Sequence, residues 1–142
     1  MRVLQRDDYH FNLIKQISDE SFEITERPGE LALRYQYDNC ELWTRENNNL
    51  IVAYAIVIMD FGEPYLWSIA TKKEFRSRGI AAGLIGEIVD WYSGRHAAGI
   101  GLTVNINNPA QKLYFDEGFR ITRIMPRYYG DVSGLRMRRN LL

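Results

Sequence analysis

The chain has little of what metal and redox chemistry is made from. Its 142 residues include one cysteine, Cys40, and two histidines, His10 and His96, far apart in sequence. A lone thiol excludes an internal disulfide, and nothing here is spaced like the ligands of a zinc or iron site, so no metal is expected. No apolar stretch reaches the ~18–20 residues of a membrane span, and no membrane partner is expected. In the opening Met1-Arg-Val-Leu-Gln-Arg-Asp-Asp8, charge interrupts before any apolar core forms, unlike a secretory signal. Together with the single thiol, this fits a cytoplasmic protein. The two commoner phosphate loops, Gly-x-x-x-x-Gly-Lys-Ser/Thr and Gly-x-Gly-x-x-Gly, are both missing. Net charge is missing too, with 18 basic and 18 acidic side chains. The C-terminal arginines do not concentrate into a stripe but alternate with Ile121, Ile124, Leu135 and Met137, as outward residues of strands do. Nucleic acid is not an expected partner.

What is present reads as a single globular domain spanning residues 1–142, with 46% hydrophobic and 25% charged residues. The charge is uneven along the chain. Residues 1–66 hold 12 acidic and 6 basic side chains, and residues 67–142 hold 6 acidic and 12 basic. A basic half suits a polyanionic ligand and an acidic half a cationic one.

Periodicity and turn residues predict a short edge strand at Met1–Leu4 and a helix capped by Asp7 or Asp8 and running to about Ser18. An acidic segment over residues 19–30 ends in the turn Arg27-Pro28-Gly29, before a short helix from Glu30 to Tyr35. Strands follow at Glu41–Arg45, Leu50–Met59 and Tyr65–Thr71, joined by Glu46-Asn-Asn-Asn49 and Asp60-Phe-Gly-Glu-Pro64. A helix from Ile80 to about Tyr92, a strand at 100–105, a helix from Ala110 and two final strands complete the pattern. Antiparallel neighbours followed by strand–helix–strand imply a mixed α/β sheet with helices on both faces.

The stretch Phe75-Arg76-Ser77-Arg78-Gly79-Ile80-Ala81 lies between a strand and a helix. The first turn of a helix offers unpaired N–H groups and the positive end of its dipole. Gly79 permits close approach, Ala81 stays small, and Arg76 and Arg78 add charged donors. A diphosphate is the natural ligand. Further on, Leu102-Thr-Val-Asn-Ile-Asn107-Asn-Pro-Ala110-Gln-Lys-Leu113-Tyr114-Phe-Asp-Glu-Gly118-Phe119 reads as strand, turn, helix and glycine stop.

Together these segments resemble the GNAT superfamily of CoA-dependent N-acyltransferases. That family carries Arg/Gln-x-x-Gly-x-Gly/Ala, here Arg76 to Ala81, and Asn-x-x-Ala-x-x-Leu-Tyr-x-x-x-Gly-Phe, here Asn107 to Phe119. The resemblance covers roughly residues 65–119. It implies a mixed, mostly antiparallel sheet of six or seven strands flanked by about four helices. The strands at 64–71 and 100–105 are then parallel and splay apart around the pantetheine arm. It also implies acetyl-CoA as cosubstrate, an amine-bearing peptide or small molecule as acceptor, and a monomer or homodimer.

Acyl transfer to nitrogen needs a neutral amine, a donor to the oxyanion and a proton for the leaving thiolate. By the resemblance, Ile69, Ala70 and Thr71 present backbone to the cofactor arm, with an N–H near Ala70 serving the oxyanion. Arg76, Ser77, Arg78, Gly79, Ile80 and Ala81 hold the pyrophosphate, Asn107 (or Asn108) lies beside the arm, and Tyr114 protonates the thiolate. The glutamate base that N-terminal protein acetyltransferases of the family often place on the next strand is replaced here by Leu102 or Thr103. Glu63 is the nearest alternative base, Asp60 the second, and Tyr65 contributes through water. The C-terminal Tyr128-Tyr129-Gly130 resembles the hairpin tip that borders the peptide slot in ribosomal-protein N-terminal acetyltransferases. The expected reaction is acetylation of a primary amine in a ternary complex, with an α-amino group of a peptide ahead of a small-molecule amine. A CoA-binding regulatory module is the alternative of a different class.

Overall fold

The computed structural model describes residues 1–22 and 26–142. Residues 23–25 of the predicted acidic segment lie outside the described residues. In chain order the elements are β1 (Arg2–Val3), α1 (Asp8–Ser21), α2 (Glu30–Asn39), β2 (Glu41–Asn47), β3 (Leu50–Asp60), β4 (Glu63–Thr71), a 3-10 turn (Lys73–Phe75), α3 (Ile80–Ser93), β5 (Gly99–Asn105), α4 (Ala110–Asp116), β6 (Arg120–Tyr129) and β7 (Val132–Asn140). The mixed α/β expectation holds, with seven strands and four α-helices among the described residues.

Asp7 caps α1, its carboxylate accepting the His10 N–H at 2.8 Å, and Phe11, Ile14 and Ile17 turn inward. The helix expected at 30–35 continues to Asn39. Leu33 and Tyr37, four residues apart, both enter the core, and the Tyr37 hydroxyl donates to the Asp7 carbonyl at 3.0 Å. That bond stitches the end of α2 to the start of α1, a tertiary gain that local pattern does not contain. Between β2 and β3, Asn48 and Asn49 both adopt positive φ (53° and 66°), as a primed two-residue hairpin turn requires.

The sheet runs β1-β2-β3-β4-β5-β7-β6. Its one parallel pair, β4 with β5, is held only at Tyr65–Gly101 and Leu66–Leu102, after which the strands separate. Just beyond, the β3–β4 register slips so that Trp67 is the extra residue of a bulge, which adds local twist where the separation begins. One core lies under α3 and α4, where Leu84, Ile85 and Ile88 meet Leu102, Val104, Leu135 and Met137. The other lies under α1 and α2, where Phe11, Ile14, Leu33 and Tyr37 meet Tyr54 and Ile56. α1 packs on β3 and β4, and α2 on β3.

Candidate active site

A cleft of about 530 Å³ opens where β4 and β5 part, of the size that holds a cofactor-sized ligand. Its floor is the end of β4, with Ile69, Ala70 and Thr71 lining it. One wall is the loop into α3, with Arg76, Ser77, Gly79, Ile80, Ala81 and Ala82, and the other is α4. Gly79 stands at φ +77° as the N-cap of α3. The first amide in that helix to find an intrahelical acceptor is Gly83, bonded to the Gly79 carbonyl at 3.0 Å. The N–H groups of Ile80, Ala81 and Ala82 are therefore left for an anion. This is the cradle expected of a diphosphate site, and the residues present fit CoA.

The two arginines take different places. Arg76 lines the cleft, but its Nε donates to the Thr71 carbonyl at 2.9 Å and its Nη2 to Ser21 Oγ at 2.9 Å, bracing the loop against β4 and α1. Arg78 does not line the cleft; its guanidinium stacks over Phe75 at 5.1 Å.

The Ala70 N–H, expected to serve the oxyanion, does not face the gap. The Lys72 N–H bonds the Val52 carbonyl at 2.7 Å, so that position is a hydrogen-bonded pair of the β3–β4 ladder. Ala70, two residues earlier and opposite Tyr54, shares that orientation and turns its N–H toward β3. Ile69 and Thr71 turn theirs toward the gap, and of the two Ile69 also lines the neighbouring slot.

On the facing side, Asn107 is exposed and lines neither cleft, in contrast to its expected place beside the cofactor arm. Asn108 lines both this cleft and the neighbouring slot, with its Oδ1 accepting the Ala110 N–H at 2.9 Å. Of the two asparagines, the second therefore occupies the inner position. Tyr114 is buried against Phe119, ring edge to face at 6.2 Å, and faces both spaces. Burial alone pushes its hydroxyl up to about 12.

The slot, about 90 Å³, lies across Tyr114 from the cofactor cleft and is lined by Phe22, Glu26, Trp67, Ile69, Thr103 and Tyr129 among others. Tyr129 comes in from the β6–β7 hairpin as expected; its hydroxyl donates to the Thr103 carbonyl at 3.3 Å, and burial raises its pKa. Tyr128 stands outside, 49% exposed, with its ring edge-on to that of Tyr129 at 4.9 Å. Glu26 supplies the carboxylate among the described residues of the slot. The sequence marked its segment as acidic and as leading to a turn, without showing where that turn would point.

Glu63, the first alternative for the base, does not line the slot. It is paired with Arg138, Nε to Oε1 at 2.7 Å and Nη2 to Oε2 at 3.1 Å, and that guanidinium holds its pKa below the usual carboxylate value. Asp60 is likewise engaged, by Arg136 Nη2 at 2.9 Å. Tyr65 donates to Thr103 Oγ1 at 2.7 Å, one shell behind the slot.

A cofactor-sized cleft and a smaller slot beside it share one buried tyrosine, a layout that suits a group-transfer enzyme with two substrates. Residues 11–119 match the model of the acetyltransferase (GNAT) family, and the chain belongs to that family. It is 31% identical over 122 residues to an uncharacterized N-acetyltransferase of Methanocaldococcus jannaschii, covering 83% of this chain and 77% of the relative. Among solved structures it is similar to the ribosomal-protein-S18-alanine N-acetyltransferase from Escherichia coli, with a TM-score of 0.85 and 20% identity, covering 99% of this chain and 94% of that one. An aminoglycoside 6'-N-acetyltransferase complexed with coenzyme A gives a TM-score of 0.82 and 11% identity, covering 100% and 97%. The fold is therefore shared by acetyltransferases of protein and of small-molecule amines.

Proposed function

We propose that the chain transfers the acetyl group of acetyl-CoA directly to an α-amino group, in a ternary complex. The observation that carries this reading is the convergence of cofactor cleft and slot on Ile69 and Tyr114. Acetyl-CoA supplies the activated thioester carbonyl. Ile69 donates its N–H to the carbonyl oxygen as that oxygen gains charge. Tyr114, held protonated by burial, gives its proton to the sulfur as the carbon–sulfur bond breaks and the carbon–nitrogen bond forms. Glu26 takes the proton that the acceptor nitrogen loses. No cysteine lines either space among the described residues: Cys40 sits at the C-cap of α2, its Sγ 2.9 Å from Gln36 Oε1. Direct attack by the amine therefore suits the site better than a thiol relay.

The choice of amine follows from the base. A lysine side chain has a pKa near ~10.4 and an α-amino group one near ~7.8, so presenting neutral lysine costs about 3.5 kcal/mol more. A slot whose described carboxylate is Glu26, with no histidine beside it, favours the amine that is already partly neutral. The test is CoA thiol release with three acceptors: lysine-free peptides bearing a free N-terminus, N-blocked peptides bearing one internal lysine, and an aliphatic diamine. At least tenfold higher kcat/KM for the free N-termini is expected. Faster turnover of either other class overturns the choice of acceptor.

A further inference from the structure

The sheet face that carries α1 and α2 continues past the slot onto β5 and β7, and there two arginine side chains cover it. Gly99 and Gly101 of β5 are buried on this face. A Cβ on Gly99 would overlap the Arg138 guanidinium, and one on Gly101 would come within 3.3 Å of Arg136 Nη2. The missing Cβ atoms thus let both guanidiniums lie flat on the strand. Each is pinned from the β3–β4 hairpin, Arg136 by Asp60 and Arg138 by Glu63. The Arg136 guanidinium also sits 4.5 Å over the Tyr65 ring, and Tyr65 holds Thr103 of the slot. The result is a shelf that begins at the slot and runs down β5 to Gly99, roughly 13 Å at ~3.3 Å per residue.

The shelf still has donors to offer. A guanidinium carries five N–H groups; Asp60 takes one from Arg136 and Glu63 takes two from Arg138. The two arginines are 34% and 35% exposed. Arg123 of β6 stands opposite Arg136, and the carboxylates paired with Arg136 and Arg138 among the described residues are Asp60 and Glu63, so three arginines stand against two acids here. Of the other arginines in residues 120–142, Arg120 and Arg139 turn to α4 instead, bonding the carbonyls of Phe115 and Glu117.

We infer that this shelf is the track for the acceptor chain beyond its first residue, which makes the acceptor a polypeptide with acidic residues in the positions that follow its N-terminus. The inference rests on the α-amino reading above. Its occupant is set by continuity with the slot, by spare donors for peptide carbonyls and carboxylates, and by the surplus of positive charge. The length matches about four extended residues, which a lone small-molecule amine would leave uncovered.

The test uses the full chain with acetyl-CoA and three free-N-terminus substrates sharing one first residue: a neutral dipeptide amide, a pentapeptide with glutamates at positions 2–4, and one with arginines there. The glutamate pentapeptide should exceed the dipeptide amide at least tenfold in kcat/KM, the arginine pentapeptide should gain nothing, and high salt should narrow the gap. Arg138→Gln should cut the pentapeptide-to-dipeptide ratio at least threefold. Gly99→Ala should do the same by lifting the guanidinium while keeping its charge, and it carries the test should Arg138→Gln fold poorly. Equal kcat/KM for dipeptide and both pentapeptides, with α-amines still acetylated, overturns the shelf alone. Turnover confined to lysine side chains or diamines overturns the α-amino reading and the shelf with it.

Discussion

The cofactor side and the acceptor side of this site are built from different material. Around the cofactor cleft the donors are main-chain groups, those of Ile69 and Thr71 on β4 and of Ile80 to Ala82 at the start of α3, supplied by one continuous run of chain. Around the slot they are side chains, with Glu26 from the segment before α2, Thr103 from β5 and Tyr129 from the β6–β7 hairpin brought together only by the fold. A backbone cradle tolerates many side chains and demands few. A side-chain slot can be retuned one residue at a time, so a single cofactor can serve many acceptors.

The sharpest way to break this contrast is at Tyr114, which belongs to both sides. Tyr114→Phe keeps the packing against Phe119 and deletes the proton, so kcat should fall by roughly 10²-fold with acetyl-CoA affinity nearly unchanged. Because the native hydroxyl stays protonated to about 12, kcat/KM of the wild type should rise with pH through the acceptor amine's own pKa and then hold level to about pH 10. A descending limb near pH 8 would show that another group donates the proton.

The cofactor side is sharpened by a pair of variants. Gly79→Val forces a β-branched residue to φ +77° and turns the α3 amides away, so calorimetry should show acetyl-CoA binding weakened at least tenfold, with circular dichroism preserved. Arg78→Ala should cost less than about fivefold, since Arg78 stacks on Phe75 instead of facing the cleft. The reverse order would mean that side-chain charge, not backbone, holds the phosphates. On the acceptor side, Glu26→Gln should lower kcat/KM for the amine about tenfold and leave the KM of acetyl-CoA in place.

The difference in material also governs what the residues disclosed before folding. The α3 cradle was legible because its donors are consecutive: Arg76 to Ala81 spells out turn, glycine and helix start. The element order and the sheet class followed from periodicity and turn residues, as at Asn48-Asn49. Glu26 was not legible, because its value comes from facing Thr103 and Tyr129 across a long sequence gap. Glu63 reads as a free carboxylate in the sequence, but Arg138, 75 positions away, holds it in the fold. The inner place of Asn108 over Asn107 depends on the path of the loop before α4, and the outward N–H of Ile69 over that of Ala70 on strand alternation, and neither is written in residue type.

The placement of Cys40 has a practical side. It is the protein's sole thiol, half-buried at the end of α2 on the groove beside β1, and burial pushes its pKa up. A thiol reagent used to follow CoA release therefore meets at most one competing group on the enzyme, and a sluggish one. The same position offers a single attachment point for a fluorophore on a groove that shares no lining residue with the cleft or the slot.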